Sequence, residues 1–138
     1  MITVAICTWN RAAMLDRILT AFRALVVPAG VEWELLVVNN NCTDDTDRIL
    51  EAHSSTLPFR RAFEPQAGIA HARNRALTEA RGDLILWTDD DMAVPPDWLA
   101  NYLAAATRFP DASLFGGPIR GWYADDVSDD QKRFTEQH

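Results

Sequence analysis

Four short apolar runs are separated by segments in which apolar residues return every three or four positions. The runs are ITVAICT (2–8), EWELLVV (32–38), PFRRAF (58–63) and DLILWT (83–88). Short runs rich in β-branched and aromatic residues read as strands, and a period near 3.6 reads as helix. Strands alternating with helices over short connections favour an α/β fold, a mainly parallel sheet flanked by helices.

The intervening segments carry start and stop signals. Asn10 stands where an N-cap is expected. After it, Met14, Leu15, Ile18, Leu19, Phe22 and Leu25 share a helical face that ends at Pro28 and Gly30. Thr43 or Asp44 is placed to cap a short helix carrying Ile49 and Leu50. Gly68 opens a helix over GIAHARNRALTEAR, and Gly82 follows it, where a left-handed turn needs no Cβ. Pro95 and Pro96 start a helix whose apolar face is Trp98, Leu99, Tyr102, Leu103 and Ala106. ASLFGGPI (112–119) reads as a fifth strand, and the tail from Asp125 is polar and acidic. The 138 residues form one domain, with no repeat and no linker.

Three polar clusters, Thr8–Arg11, Asn39–Asp45 and Asp89–Asp91, each follow a strand. In parallel sheets ligands bind beyond the carboxyl ends of the strands, where strand order reverses. The clusters therefore belong to one rim. Asp89, Asp90 and Asp91 are the sharpest feature of it. Two like charges ~4 Å apart cost about 4 kcal/mol at an effective dielectric of ~20. A hard divalent cation, Mg²⁺ or Mn²⁺, would offset that repulsion with carboxylate and phosphate oxygens. A solvated acidic loop is the plainer alternative. Thr8, Trp9 and Asn10 can present a hydroxyl and an aromatic face to a base, and Asn39 and Asn40 can present amides. Arg73 and Arg75, near a helix start, suit an anion.

Several classes are disfavoured. A net charge of -7 argues against a nucleic-acid surface or an anionic membrane. No apolar run approaches the ~20 residues of a membrane span, and no signal peptide is expected. Cys7 and Cys42 show neither CxxC nor Cys/His spacing, so free thiols in a reducing cytoplasm are expected, not zinc ligands. There is no GxGxxG, no GxxxxGK[ST] and no GxSxG. The Gly-rich basic loop of a nucleotidyltransferase is also missing after the first strand.

The succession VAICTWNRAAMLDRIL, ELLVVNNNCTDDT and GIAHARNRALTEARGDLILWTDDD strongly resembles the family 2 glycosyltransferases of the GT-A fold. That resemblance implies a Rossmann-like nucleotide-sugar-binding domain over 1–138, C-terminally incomplete and lacking its acceptor-binding half. It implies transfer of a sugar from a nucleotide-diphosphate sugar to an acceptor hydroxyl, metal-dependent and with inversion. Thr8 and Trp9 would flank the base, with Asn10 in the same loop. Asn39 and Asn40 would meet the base or ribose, and Arg73 the base or diphosphate. Asp89 would reach the ribose or metal, Asp91 would hold Mg²⁺ or Mn²⁺, and Asp90 is the intermediate residue of the DXD motif. Asn39 stands where many members have Asp, which leaves uridine, deoxythymidine and guanosine donors open. No counterpart of the family's general base is found. Asp125, Asp126, Asp129 and Asp130 are the available carboxylates. A non-catalytic nucleotide-sugar-binding fragment is the alternative.

Overall fold

The computed structural model describes residues 1–121. The elements, in chain order, are β1 (Ile2–Thr8), α1 (Ala12–Phe22), β2 (Trp33–Asn39), α2 (Thr46–His53), β3 (Phe59–Phe63), α3 (Ile69–Glu79), β4 (Leu84–Trp87) and α4 (Trp98–Arg108). The chain divides into two units, Met1–Ala104 and Ala105–His138. The first holds the sheet. The described part of the second is the end of α4 and irregular chain, with the Arg108 guanidinium 5.1 Å from the centre of the Phe109 ring. The expected fifth strand is not formed. Gly116, Gly117 and Pro118 interrupt that run, and glycine weakens a strand while proline removes a ladder donor. Asp125, Asp126, Asp129 and Asp130 lie outside the described residues.

The sheet is parallel, in the order β3-β2-β1-β4. The chain runs outward from β1 to β2 and β3, then returns to place β4 on the other side of β1. Strand order therefore reverses between β1 and β4, with Ile2 opposite Leu84 and Ala5 opposite Trp87. A ligand crevice forms beyond the carboxyl ends at such a point.

The two faces are unequal. On one, Val4, Ile6, Leu35, Val37 and Leu86 pack with Leu15, Ile18, Leu19 and Phe22 of α1, joined by Leu50 and Leu99. Phe22 stacks on Trp98, whose ring also meets Tyr102 edge-on. On the other face, Ala5, Leu36, Val38 and Ala62 meet Ala72 and Ala76 of α3. Fully burying a large aliphatic side chain contributes about 1.5–3 kcal/mol, so the first face dominates hydrophobic stability. The alanine face instead lets the α3 backbone lie close to the strands.

At the amino end of the sheet, a buried carboxylate is tied into one polar cluster. Glu34 accepts hydrogen bonds from the Thr3 hydroxyl (2.8 Å) and the Arg81 amide (2.9 Å). Arg60 stands 3.5 Å from Glu34 and also donates to the Glu79 carbonyl. Gly82 belongs to this end and corrects the expectation of a left-handed turn. It is not left-handed: α3 stops at Glu79, and Ala80 is already extended. Glycine is needed because a Cβ would lie 2.5 Å from the Thr3 nitrogen.

Further boundaries differ: α1 ends at Phe22, short of Leu25, and Asp45, not Thr43 or Asp44, stands at the N-cap of α2. Arg11, not Asn10, occupies the N-cap position of α1, and neither side chain caps the helix. Asn10 is left-handed at φ 53, which asparagine tolerates. α4 begins at Trp98, whose amide bonds the Pro95 carbonyl at 3.0 Å, so the prolines form a turn ahead of the helix.

Candidate functional site

The β1–α1 and β2–α2 loops are interlocked at the carboxyl end of the sheet. The Asn40 amide bonds the Thr8 carbonyl, and the Thr43 amide donates to Asn10 Oδ1 at 2.7 Å. Asp44 serves both helices. One of its oxygens accepts the Ala12 amide of α1 at 2.9 Å, and the other accepts the amide and hydroxyl of Thr46 at the start of α2. Burial alone would raise the Asp44 pKa. The hydrogen bonds from Thr46 and Ala12 outweigh it and hold the carboxyl below its ordinary value.

Asn40 joins these loops to a third. Its Nδ2 donates to the carbonyls of Glu64 (3.1 Å) and Gln66 (2.7 Å), and its Oδ1 accepts the Gly68 amide at 2.8 Å. Gly68, at φ 132, starts α3 beside the strand ends.

These loops and the β4 turn enclose a cleft of about 500 Å³ at the β1/β4 reversal. Thr8, Trp9, Asn40, Asp89, Asp90 and Asp91 line it, together with Arg11 and Cys7. Trp9 is 60% exposed and offers a ring face. Asn10, Asn39 and Arg73 do not line the cleft. Asn39 is buried, donates to Asp47 at 2.9 Å and accepts the Cys42 amide at 2.8 Å, so its amide shapes the loop. Arg73 stands 3.8 Å from Asp89.

The three aspartates are unlike one another. Asp90 is buried, accepting the Thr8 hydroxyl at 2.7 Å and Arg11 at 3.2 Å. Asp91 is paired with the same Arg11 nitrogen at 2.9 Å, and Asp89 faces Arg73. Their mutual repulsion is thus already relieved by two guanidiniums and a hydroxyl, where the sequence pattern suggests a cation. Arg11 is missing from the candidates that the sequence singles out. The available signal is a cation two residues beyond Trp9, on the same rim as three carboxylates. Its hydrogen bond to Asp90, reinforced by the charge of that carboxylate, raises its already high pKa further.

Cys7 forms part of the wall. Burial pushes its thiol up to about 11, against the lowering effect of Arg73, so it is a neutral packing group and not a nucleophile. For a metal, the outer aspartates offer hard oxygen ligands suited to Mg²⁺ or Mn²⁺. Among the described residues no three His, Cys, Asp or Glu side chains converge to hold one alone. The donor set therefore fits a cation that takes the rest of its shell from a ligand's oxygens. Among the same residues, no helix is long and apolar enough to cross a membrane.

The chain is similar to succinoglycan biosynthesis protein ExoM of Rhizobium meliloti, at 29% identity over 88% of this chain and 40% of the relative. It is 30% identical to validoxylamine A glucosyltransferase of Streptomyces hygroscopicus subsp. jinggangensis, over 88% of this chain and 29% of the relative. Among solved structures it matches mannosyltransferase PcManGT of Pyrobaculum calidifontis in complex with GDP-Man and Mn²⁺. That match has a TM-score of 0.70 and 30% identity, over 76% of this chain and 32% of the other. The S. aureus TarS 1-349 complex with UDP-GlcNAc gives a TM-score of 0.70 at 22% identity, over 86% of this chain and 37% of the other. This chain thus spans less than half the length of each of these relatives. The sequence profile of glycosyl transferase family 2 matches residues 3–134. With the GT-A architecture of the sheet and the cleft at its reversal point, this match means that the chain belongs to glycosyl transferase family 2.

Proposed function

We propose that the cleft binds a nucleotide-diphosphate sugar with a divalent cation, as the donor site of an inverting transferase acting on an acceptor hydroxyl. The observation that carries this reading is the placement of exposed Asp89 and Asp91 in one cleft with the ring of Trp9, at the strand reversal. Trp9 stacks on the base. Thr8 and Asn40 hold the walls in place, with Asn10 and Asn39 acting behind them through the interlocked loops. Arg73 offsets the charge of Asp89 and, with it, meets the ribose or diphosphate. Asp90 anchors the loop. Asp91, with Asp89, would hold Mg²⁺ or Mn²⁺. Such a cation, when bound, neutralises charge developing on the departing nucleoside diphosphate. Two relatives support the ligand class, since PcManGT was solved with GDP-Man and Mn²⁺ and TarS 1-349 with UDP-GlcNAc. The two free thiols suit a reducing compartment such as the cytoplasm, where we place the protein.

An inverting transfer also needs a base to take the acceptor proton. We assign none among the described residues. Calorimetric titration with UDP, dTDP and GDP, with and without Mn²⁺, tests the donor site. Binding that requires the metal and is lost in Asp91→Asn is the expected result and selects the base. A folded chain that binds none of the three overturns the reading. Binding without transfer to any acceptor would favour a nucleotide-sugar-binding module instead.

A further inference from the structure

Each outer aspartate of the triplet has a cation beside it, and the two cations are held differently. Arg73 faces Asp89, at 3.8 Å. Arg11 is shared, with one nitrogen 3.2 Å from Asp90 Oδ1 and 2.9 Å from Asp91 Oδ2. The Asp90 side chain is 5% exposed and the Asp91 side chain 45% exposed. An ion pair between half-exposed groups is weak, whereas a buried carboxylate is costly to leave unpaired. Of the two contacts, the one to Asp91 is the one that yields. With both guanidiniums in place, the triplet keeps one net negative charge. Adding a divalent cation reverses that sign and suits a diphosphate.

Resting on the donor-site reading above, we infer that Arg11 competes with the divalent cation for Asp91 and, once displaced, stays anchored on Asp90 and pairs with the donor diphosphate. The residue thereby couples the two ligands. A cation arriving alone must displace Arg11 without compensation and binds weakly. Arriving with a diphosphate it binds well, because the released guanidinium gains an anion. The coupling is reciprocal, so the cation strengthens diphosphate binding by the same factor.

Mn²⁺ binding to the 138-residue chain, followed by loss of the free-ion electron paramagnetic resonance signal, tests this with and without UDP or GDP. Arg11→Gln removes the charge and keeps a donor for buried Asp90. It should bind Mn²⁺ alone about fivefold more tightly. The enhancement that the nucleoside diphosphate confers should fall about tenfold. Arg11→Lys keeps the charge and should retain most of the enhancement, which also covers the case of a misfolded glutamine variant. A purely structural Arg11 would weaken both measurements together. That result, or no change in either, overturns the coupling and leaves the donor site standing. A folded wild-type chain with no Mn²⁺-dependent nucleotide binding removes the donor site and the coupling with it.

Discussion

The two ends of the sheet use the same chemistry to opposite effect. At the amino end, Glu34 is 6% exposed and its oxygens are taken by Thr3, the Arg81 amide and Arg60. At the carboxyl end, Asp89 and Asp91 are 64% and 45% exposed, and among the described residues each is paired with an arginine that is itself about half exposed. A buried carboxylate with several donors binds the fold together. An exposed one with a single loose partner remains available to a ligand. Asp90 lies between these cases: it sits in the rim sequence and behaves like Glu34.

Substitutions can break or sharpen that contrast. Glu34→Ala should cost about 3 kcal/mol in urea unfolding, because it removes the charged acceptor shared by the Thr3 hydroxyl and the Arg81 amide, while Arg60 keeps Glu79. Asp91→Asn should leave stability within about 0.5 kcal/mol, as surface changes do. Its metal-dependent nucleotide affinity should nevertheless fall by about a hundredfold, or about 2.7 kcal/mol. If Asp91→Asn unfolds the chain as readily as Glu34→Ala, the two ends do not differ as described. Trp9→Ala should lose about 1–2 kcal/mol of nucleotide binding, by analogy with base stacking on aromatic side chains, with an unchanged melting temperature. The smallest effect belongs to Asp44, whose exposure screens it. Its carboxyl is held below the ordinary value, so its contribution is present above the unfolded pKa and lost as pH falls through the folded one. Asp44→Asn should flatten the fall in melting temperature on acidification below about pH 4. A wild-type chain whose stability rises over that range would contradict the sign.

Part of the contrast is legible in the order of residues alone. β1 coincides with ITVAICT, Gly68 does open α3, and the three polar clusters do share a rim. These depend on local periodicity and on the handed geometry of parallel connections. What the residue order hides depends on partners distant along the chain. Glu34 looks like any polar residue in a strand, because its partners Thr3, Arg60 and Arg81 come from three other segments. An asparagine amide can face a base or a loop with equal chemistry. Only the fold shows that Asn39 is committed to Asp47 and Cys42, and Asn40 to Glu64, Gln66 and Gly68. Gly82 stands out in the sequence as a helix terminator, yet its need arises from the β1 backbone and not from its own φ.

The hydrogen bond from Thr8 to Asp90 spans 82 residues of chain. β1 pairs with β2 after one short crossover, but with β4 only after β2, α2, β3 and α3 have been laid down. Contacts that close long loops meet their entropy cost before they gain stability, and parallel pairings of this kind form slowly. We therefore predict that during refolding the cleft is the last part of the sheet to assemble. Competence to bind nucleotide should trail the recovery of helical circular dichroism in a stopped-flow experiment; simultaneous recovery would refute it. On that account, a chain still being synthesised would have no working pocket until the aspartate turn had emerged and found its place beside the first strand.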